Sequence, residues 1–420
     1  MARTHKLGLS QVLAVVIVVL VIISGFTGYL IGVTQPAKPG TGINSSLTNN
    51  STSTSASAVT TNTVIQLKTS TTWTTQSTTV YATSYAMTLT AEENNSLSNI
   101  VLANITTGNF PQSLAVDPKT DRVYVTYWNG TTYLAVIDGS TNRLIDTISN
   151  VSSLGDAPLL VDPQTNLIFI SNEIINGSTD QVVAHIDSNL TFVALDVKDN
   201  LAYATQMLPG PNRSTIVFKI NPFTDGVVGS QIYSGQLLED FVFDENSSIL
   251  YTTDCTGFFE CYPSYVLGIN GSSLALDSNV SAGFVFFNMA WNPQSNMIYV
   301  TSLQNLLIVI NGTNGQLITQ IPITAYANEL FGIAVDPSAN EFFLAGNPNC
   351  SGLVECGDIV LYVLSSFNYG FFATFAGGNS EGPVILQFDP ANNETYMAFE
   401  SSSYLLALRI PQYNLSVLLS

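Results

Sequence analysis

From residue 113 onward the chain alternates short apolar runs with tight polar turns. Leu114-Ala115-Val116, Val123-Tyr124-Val125-Thr126, Tyr133-Leu134-Ala135-Val136-Ile137 and Leu144-Ile145-Asp146-Thr147-Ile148 are rich in β-branched and aromatic residues, which favour strands. Asp117-Pro118, Asn129-Gly130 and Asp138-Gly139 separate them, and all three are strong turn formers. The pattern predicts a four-stranded antiparallel meander.

The junction of that unit recurs: an apolar strand, Asp-Pro or a close variant, a polar turn, then a strand led by an aromatic. It appears at Asp162-Pro163, Asp196-Val197, Asp244-Glu245, Asn292-Pro293, Asp336-Pro337 and Asp389-Pro390. Successive steps are 45, 34, 48, 48, 44 and 53 residues, the length of a four-stranded propeller blade. Runs such as Leu307-Ile308-Val309-Ile310 and Val360-Leu361-Tyr362-Val363-Leu364 are apolar on both faces, as expected of strands sandwiched between neighbouring blades. A linear stack needs polar caps, and none is visible. The expected fold is therefore all-β, a closed seven-bladed β-propeller over 99–420. Asn99 to Ile105 should supply the fourth strand of the last blade, beside Tyr404 to Ile410, and Leu415 to Leu419 is the rival segment for that place.

The repeat resembles the YVTN-family β-propellers. The naming strand reads Tyr124-Val125-Thr126-Tyr127 and Tyr299-Val300-Thr301-Ser302 here, and the following turn reads Ile137-Asp138-Gly139-Ser140-Thr141 and Ile310-Asn311-Gly312-Thr313-Asn314. The resemblance implies a cell-surface or secreted, surface-layer-like protein, frequently archaeal. It brings no catalytic residues.

Two segments precede the repeats. Val12 to Val33 is an uncharged run of 22 residues, long enough at about 1.5 Å per residue to cross a bilayer core of about 30 Å. Arg3 and Lys6 precede it, so the N-terminus is expected inside and the rest outside, giving a single-pass cell-membrane protein (1–33). A cleaved signal peptide is the rival reading, and Lys6-Leu7-Gly8-Leu9-Ser10 partly matches prepilin-type signals. Residues 34–98 are dominated by Ser, Thr and Asn and bury too little to offset ordering entropy. They read as a flexible, glycosylated stalk, although Val80-Tyr81 and Tyr85-Ala86-Met87 offer local strands.

Composition narrows the chemistry. Hydrophobic residues make up 46% and charged residues 10%, with a net charge of -19 and only 11 Lys plus Arg, so nucleic acid is an improbable partner. His5 and His185 are the only histidines, which argues against triads and histidine-rich metal centres. The repeated Asp117, Asp162, Asp196, Asp244, Asp336 and Asp389 stand at turn mouths, where a carboxylate accepts backbone N–H bonds. Asn292 in the same slot supports that role. No cofactor motif stands out.

Cys255 to Cys261 and Cys350 to Cys356 enclose loops of equal length, each with a Glu before the second Cys. Outside the membrane two loop-closing disulfides are expected, since a four-cysteine zinc site has tighter pairs. Glycosylation sequons occur at Asn104, Asn129, Asn150, Asn176, Asn189, Asn212, Asn246, Asn270, Asn279, Asn311, Asn349, Asn393 and Asn414, with four more at Asn44, Asn49, Asn50 and Asn94. Glycans there would supply the solvation that charge does not. Asp156, Asp187, Glu239, Asp240, Glu329 and Glu381 precede first strands, where connections ring one mouth of the channel, so a cation or basic partner is conceivable.

Together these features predict a non-enzymatic, membrane-anchored, glycosylated propeller that acts outside the cytoplasm in binding, adhesion or envelope assembly. Its partners would be the bilayer, through Val12 to Val33, and a protein or glycan. The alternative is an extracytoplasmic enzyme or solute-binding propeller with a metal ion at the channel mouth.

Overall fold

The computed structural model describes residues 66–68, 86–88 and 97–411, apart from 153–156, 211–212, 225, 256–263, 282–285, 303–305, 324–328, 348–359, 367–368, 370, 377–383 and 400–401. Seven four-stranded antiparallel sheets follow one another. Blades 1 to 6 span 111–149, 159–185, 191–233, 238–281, 286–322 and 329–376, each a simple meander. Blade 7 takes three strands from 384–408 and its fourth from Val101–Thr106. That N-terminal strand pairs antiparallel with Tyr404–Leu408, as the sequence suggests. First strands of adjacent blades touch all the way round, blade 7 against blade 1 included, so they line the axis.

The described propeller segment starts slightly before the expected boundary. Leu97 and Ile100 are buried among Phe343, Leu361 and Phe399, at the seam between blades 6 and 7. Before the propeller, Gln66–Lys68 pairs with Ala86–Thr88, so one of the offered local strands does form. Val12 to Val33 and the remainder of the stalk lie outside the described residues, among which no helix is long and apolar enough to cross a membrane.

The core is seven separate clusters, one at every blade interface. Side-chain alternation along each second strand explains this. Val123 and Val125 join the cluster shared with blade 7, whereas Tyr124, between them, joins the one shared with blade 2. Second and third strands are thus buried on both faces, as expected. Fourth strands are not: Arg143–Ser149 and Leu317–Pro322 are mostly exposed, because nothing among the described residues packs outside them.

Two local devices make the repeat. In every blade the turn between the first two strands ends on a left-handed residue, namely Asp121, Asn166, Asn200, Ser248, Asn296, Asn340 or Asn393, with φ between 52° and 57°. Five of the seven are Asn, a residue that tolerates this conformation well. In five blades the carbonyl of that residue then accepts an N–H from the turn between the third and fourth strands. Gly139 donates to Asp121, Gly177 to Asn166, Gly271 to Ser248 and Gly312 to Asn296, each at 2.8 Å, and Ser366 donates to Asn340 at 2.7 Å. A methyl group on Gly271 would lie 2.8 Å from the Ser248 carbonyl and 2.8 Å from the Tyr203 hydroxyl, so glycine is required by close approach.

A tyrosine latch joins neighbouring blades. The Tyr203 hydroxyl of blade 3 donates to Gly271 O of blade 4 at 3.0 Å, and Tyr251 of blade 4 donates to Gly312 O of blade 5 at 2.8 Å. Tyr396 of blade 7 donates to Asn142 Oδ1 of blade 1 at 2.9 Å, and closes the ring. Burial pushes these phenols well above their ordinary range. Blades 2 and 6 carry Phe169 and Phe343 instead. They face blades 3 and 7, where Pro222 and Ile410 stand in the glycine position. The hydroxyl is absent at those two seams but kept by Tyr124 and Tyr299, which make no latch bond. Ring closure adds a charged clamp: Glu394, 4% exposed, accepts from Arg409 Nη2 at 2.9 Å and from Asn142 Nδ2 at 2.8 Å.

Candidate functional site

The repeated carboxylates are consumed by the fold. Asp117 Oδ1 accepts the Lys119 N–H at 2.9 Å and Asp117 Oδ2 accepts the Thr120 hydroxyl at 2.7 Å. Asp162 does the same with Gln164 at 2.8 Å and Thr165 at 2.6 Å. Asp196 accepts from Asp199, Asp244 from Asn246, Asp336 from Ser338 and Asp389 from Ala391. Asn292 accepts from Gln294 at 2.9 Å, as its amide oxygen allows. All seven side chains are buried, so they act as turn caps.

The axis offers a different chemistry. Five first strands, the innermost of each blade, carry a β-bulge near their start, where one extra residue is inserted. These residues are Gln112, Val193, Asp240, Phe287 and Phe331. A bulge re-aims its side chain and interrupts pairing. Asp240 is the single ionisable member, held at φ 37°. It is exposed by surface area yet surrounded by protein, as a residue on a channel wall is. Burial, and secondarily the Glu239 charge beside it, push its carboxyl up to about 7. Glu239 is also raised by burial, with the Arg213 guanidinium pulling the other way.

These positions correct the expectation for the channel mouth. Glu239 and Asp240 lie inside the first strand of blade 4 (Leu238–Asp244), and Glu329 opens that of blade 6 (Glu329–Asp336), rather than preceding them in loops. The bulge lets strands begin on polar residues because pairing is interrupted there. Asp187 is exposed in a connection, where its carboxylate accepts the Asn189 N–H at 2.9 Å. Asp156 and Glu381 lie outside the described residues. Among the described residues no group of three or more His, Cys, Asp or Glu side chains is arranged to hold a metal ion.

Buried carboxylates elsewhere went unnoticed in the sequence. Glu173, 5% exposed, accepts the Ser152 N–H at 3.0 Å and its hydroxyl at 2.7 Å, while His185 Nδ1 is 3.7 Å away. Ser152 donates to the carboxylate and not to the imidazole, so this is a loop clasp without an activated nucleophile. Asp254 likewise accepts Gln236 Nε2 at 3.1 Å and holds the connection into blade 4, and burial raises its carboxyl. The available signal was a lone acid within or beside an otherwise apolar strand.

The sequons divide by what the turn needs. Asn176, Asn270 and Asn311 end third strands, and their amide oxygens accept the N–H groups of Ser178, Ser272 and Thr313. The Asn-Gly-Ser/Thr sequence there is turn chemistry first. Asn270 Nδ2 is committed to Asp277 and Asn246 Nδ2 to Pro293 O. Asn393 is half-buried at its left-handed turn. Asn104, Asn129, Asn150, Asn189 and Asn279 are exposed. Asn212, Asn349 and Asn414, together with Cys261, Cys350 and Cys356, lie outside the described residues. Cys255 ends the second strand of blade 4.

The sequence matches no family profile and no curated protein. Among solved structures, the chain is similar to the β-propeller domain of Cps50 (Swd1) from Myceliophteria thermophila. The TM-score is 0.56, and the 8% identity extends over 74% of this chain and 99% of that one. At that identity the likeness shows the fold alone: a β-propeller, built here from seven four-stranded antiparallel blades.

Proposed function

We propose that this chain is a membrane-tethered, glycosylated propeller of the YVTN type, placed outside the cytoplasm as a binding, adhesion or envelope-assembly module, in an archaeal-style cell surface. The observation that carries the reading is the use of the repeated carboxylates as buried turn caps, which makes the repeat a scaffold. Exposed Asn104, Asn129, Asn150, Asn189 and Asn279 then offer glycan sites on turns, connections and outer strands. In this reading Val12 to Val33 anchors the protein, 34–98 gives reach, and the disulfides Cys255 to Cys261 and Cys350 to Cys356 close two loops. The test is protease shaving of intact cells followed by glycopeptide and non-reducing mass analysis. Propeller peptides released before lysis, with glycans on the exposed sequons and two disulfides, are expected. Propeller peptides that appear only after lysis overturn the reading.

Asp240 favours a second reading, a solute- or cation-binding channel mouth. Two adjacent exposed carboxylates, Glu239 and Asp240, at the bulge in the innermost strand of blade 4 are the observation behind it. Calorimetric titration with calcium to millimolar concentration, the range of weak extracellular sites, should give no saturable heat if the scaffold reading holds. Saturable heat that disappears in Asp240→Asn would establish the alternative.

A further inference from the structure

The outer strands repeat one irregularity. In each blade the fourth strand is bulged two residues into its length or nearby, just after the turn that leads into it. The extra residue is Ile145, Val183, Val228, Ile318, Phe372 or Leu102 in six blades, and Asp277 in blade 4. The five apolar side chains described at this position are 44% to 59% exposed. Bulges blunt an edge against strand addition, so the backbone refuses a partner strand while the side chains turn outward. The result is a belt of apolar knobs at one height around the circumference.

We propose that this belt is a self-association surface, where propellers of this chain meet side by side in the plane of the ring. Four observations point to a second copy. The same residue class repeats at the same height on six of the seven blades, so most relative rotations of two copies present matching edges. The seven outer strands carry only Arg143, Asp146 and Asp277 as full charges in a chain of net charge -19, so copies approach here without the repulsion that other faces impose. The adjacent face, made by the turns with Asp121, Asp138, Asp180, Asp199 and Glu245, is acidic, which disfavours an anionic lipid surface. The belt also runs round the ring, whereas one partner of usual size covers about 800 Å². Each blade-to-blade contact involves few side chains and is weak alone; several neighbours at once, or tethering at high local density, make it effective. Blade 4, with Asp277 and the exposed sequon Asn279, is the gap in the belt, and a glycan on the exposed sequon Asn104 would shield Leu102 of blade 7.

The inference deepens the assembly reading and relies on it for location only. The test uses the full chain in mild detergent, by sedimentation velocity from about 5 to 500 µM, with benzoylphenylalanine at position 318 as a photo-cross-linker. Expected is a sedimentation coefficient that rises with concentration, cross-links to outer-strand peptides of a second copy, and at least about tenfold weaker association in Ile145→Ser/Val183→Ser/Val228→Ser/Ile318→Ser. Asp277→Leu, which fills the gap, should strengthen association. A flat sedimentation coefficient, association unchanged in the fourfold variant, or binding to anionic vesicles without self-association overturns the proposal. A chain that stays soluble without detergent would refute the tether and leave the sedimentation result readable.

Discussion

The inner and outer strands use the same backbone device to opposite ends. Bulges on the first strands lie beside the axis and carry unlike residues: Gln112, Val193, Asp240, Phe287 and Phe331. Bulges on the fourth strands face outward and carry nearly one kind. A ring of unlike residues makes every sector individual, whereas a ring of like residues repeats one contact. Between the two rings lie the second and third strands, whose tyrosine latches and paired apolar faces hold the blades together. Stability should therefore reside between the rings, titration at the inner ring and association at the outer one.

The strongest way to break this division is to remove residues 97–106, which strips blade 7 of its outer strand and the blade 6–7 seam of Leu97 and Ile100. The loss should exceed any single substitution, above about 5 kcal/mol, and limited proteolysis should cut first in 384–411. Next comes the latch. Tyr251→Ala empties a site that is 1% exposed and should cost about 3–5 kcal/mol in chemical denaturation, while Tyr251→Phe should cost about 1 kcal/mol. The reciprocal Phe169→Tyr should also destabilise, since it delivers a hydroxyl to a turn carrying Pro222. A gain in stability there would refute the pairing of latch and turn.

The inner ring predicts a pH effect of smaller size. The Asp240 carboxyl, at about 7 in the folded chain against 3.8 ordinarily, favours its proton in the fold. Its contribution to stability is thus present at low pH and lost as pH rises through about 7. The difference in Tm between the native chain and Asp240→Asn should shift against the native chain between about pH 4 and pH 8. A difference that does not change with pH would place Asp240 in ordinary solvent. The smallest effect belongs to the outer ring: Val228→Ser should change unfolding stability by less than about 0.5 kcal/mol, although it lies in the association belt. A large loss would mean that the belt is part of the core.

Repetition explains what was legible in the sequence. Asp117 and its successors recur seven times with the same neighbours, so their role as turn caps, the number of blades and the closing strand could all be read. The bulges could not. A bulge shifts register by one residue without changing composition, and Leu144-Ile145 looks like any buried apolar pair although both side chains are exposed. Glu239 and Asp240 read as loop residues for the same reason, because strand pairing begins irregularly beside them. The co-occurrence of Phe169 with Pro222, and of Phe343 with Ile410, was present in the letters, but the contact that links them spans two blades and needed coordinates.

The strand Val101–Thr106 also sets the order in which the molecule can be completed. Val101 pairs with Leu408, so the earliest propeller strand to be synthesised waits for one of the last. Until then Ile105 and its neighbours have no seam to fill, and blades 1 to 6 can form only an open arc. Such a long-range pairing carries a large loop-closure cost before it gains any contact, which makes folding slow. The same arrangement slows the reverse process, since the ring opens only when both chain ends release together. The protein should therefore be long-lived once closed and most vulnerable to proteases and aggregation during synthesis.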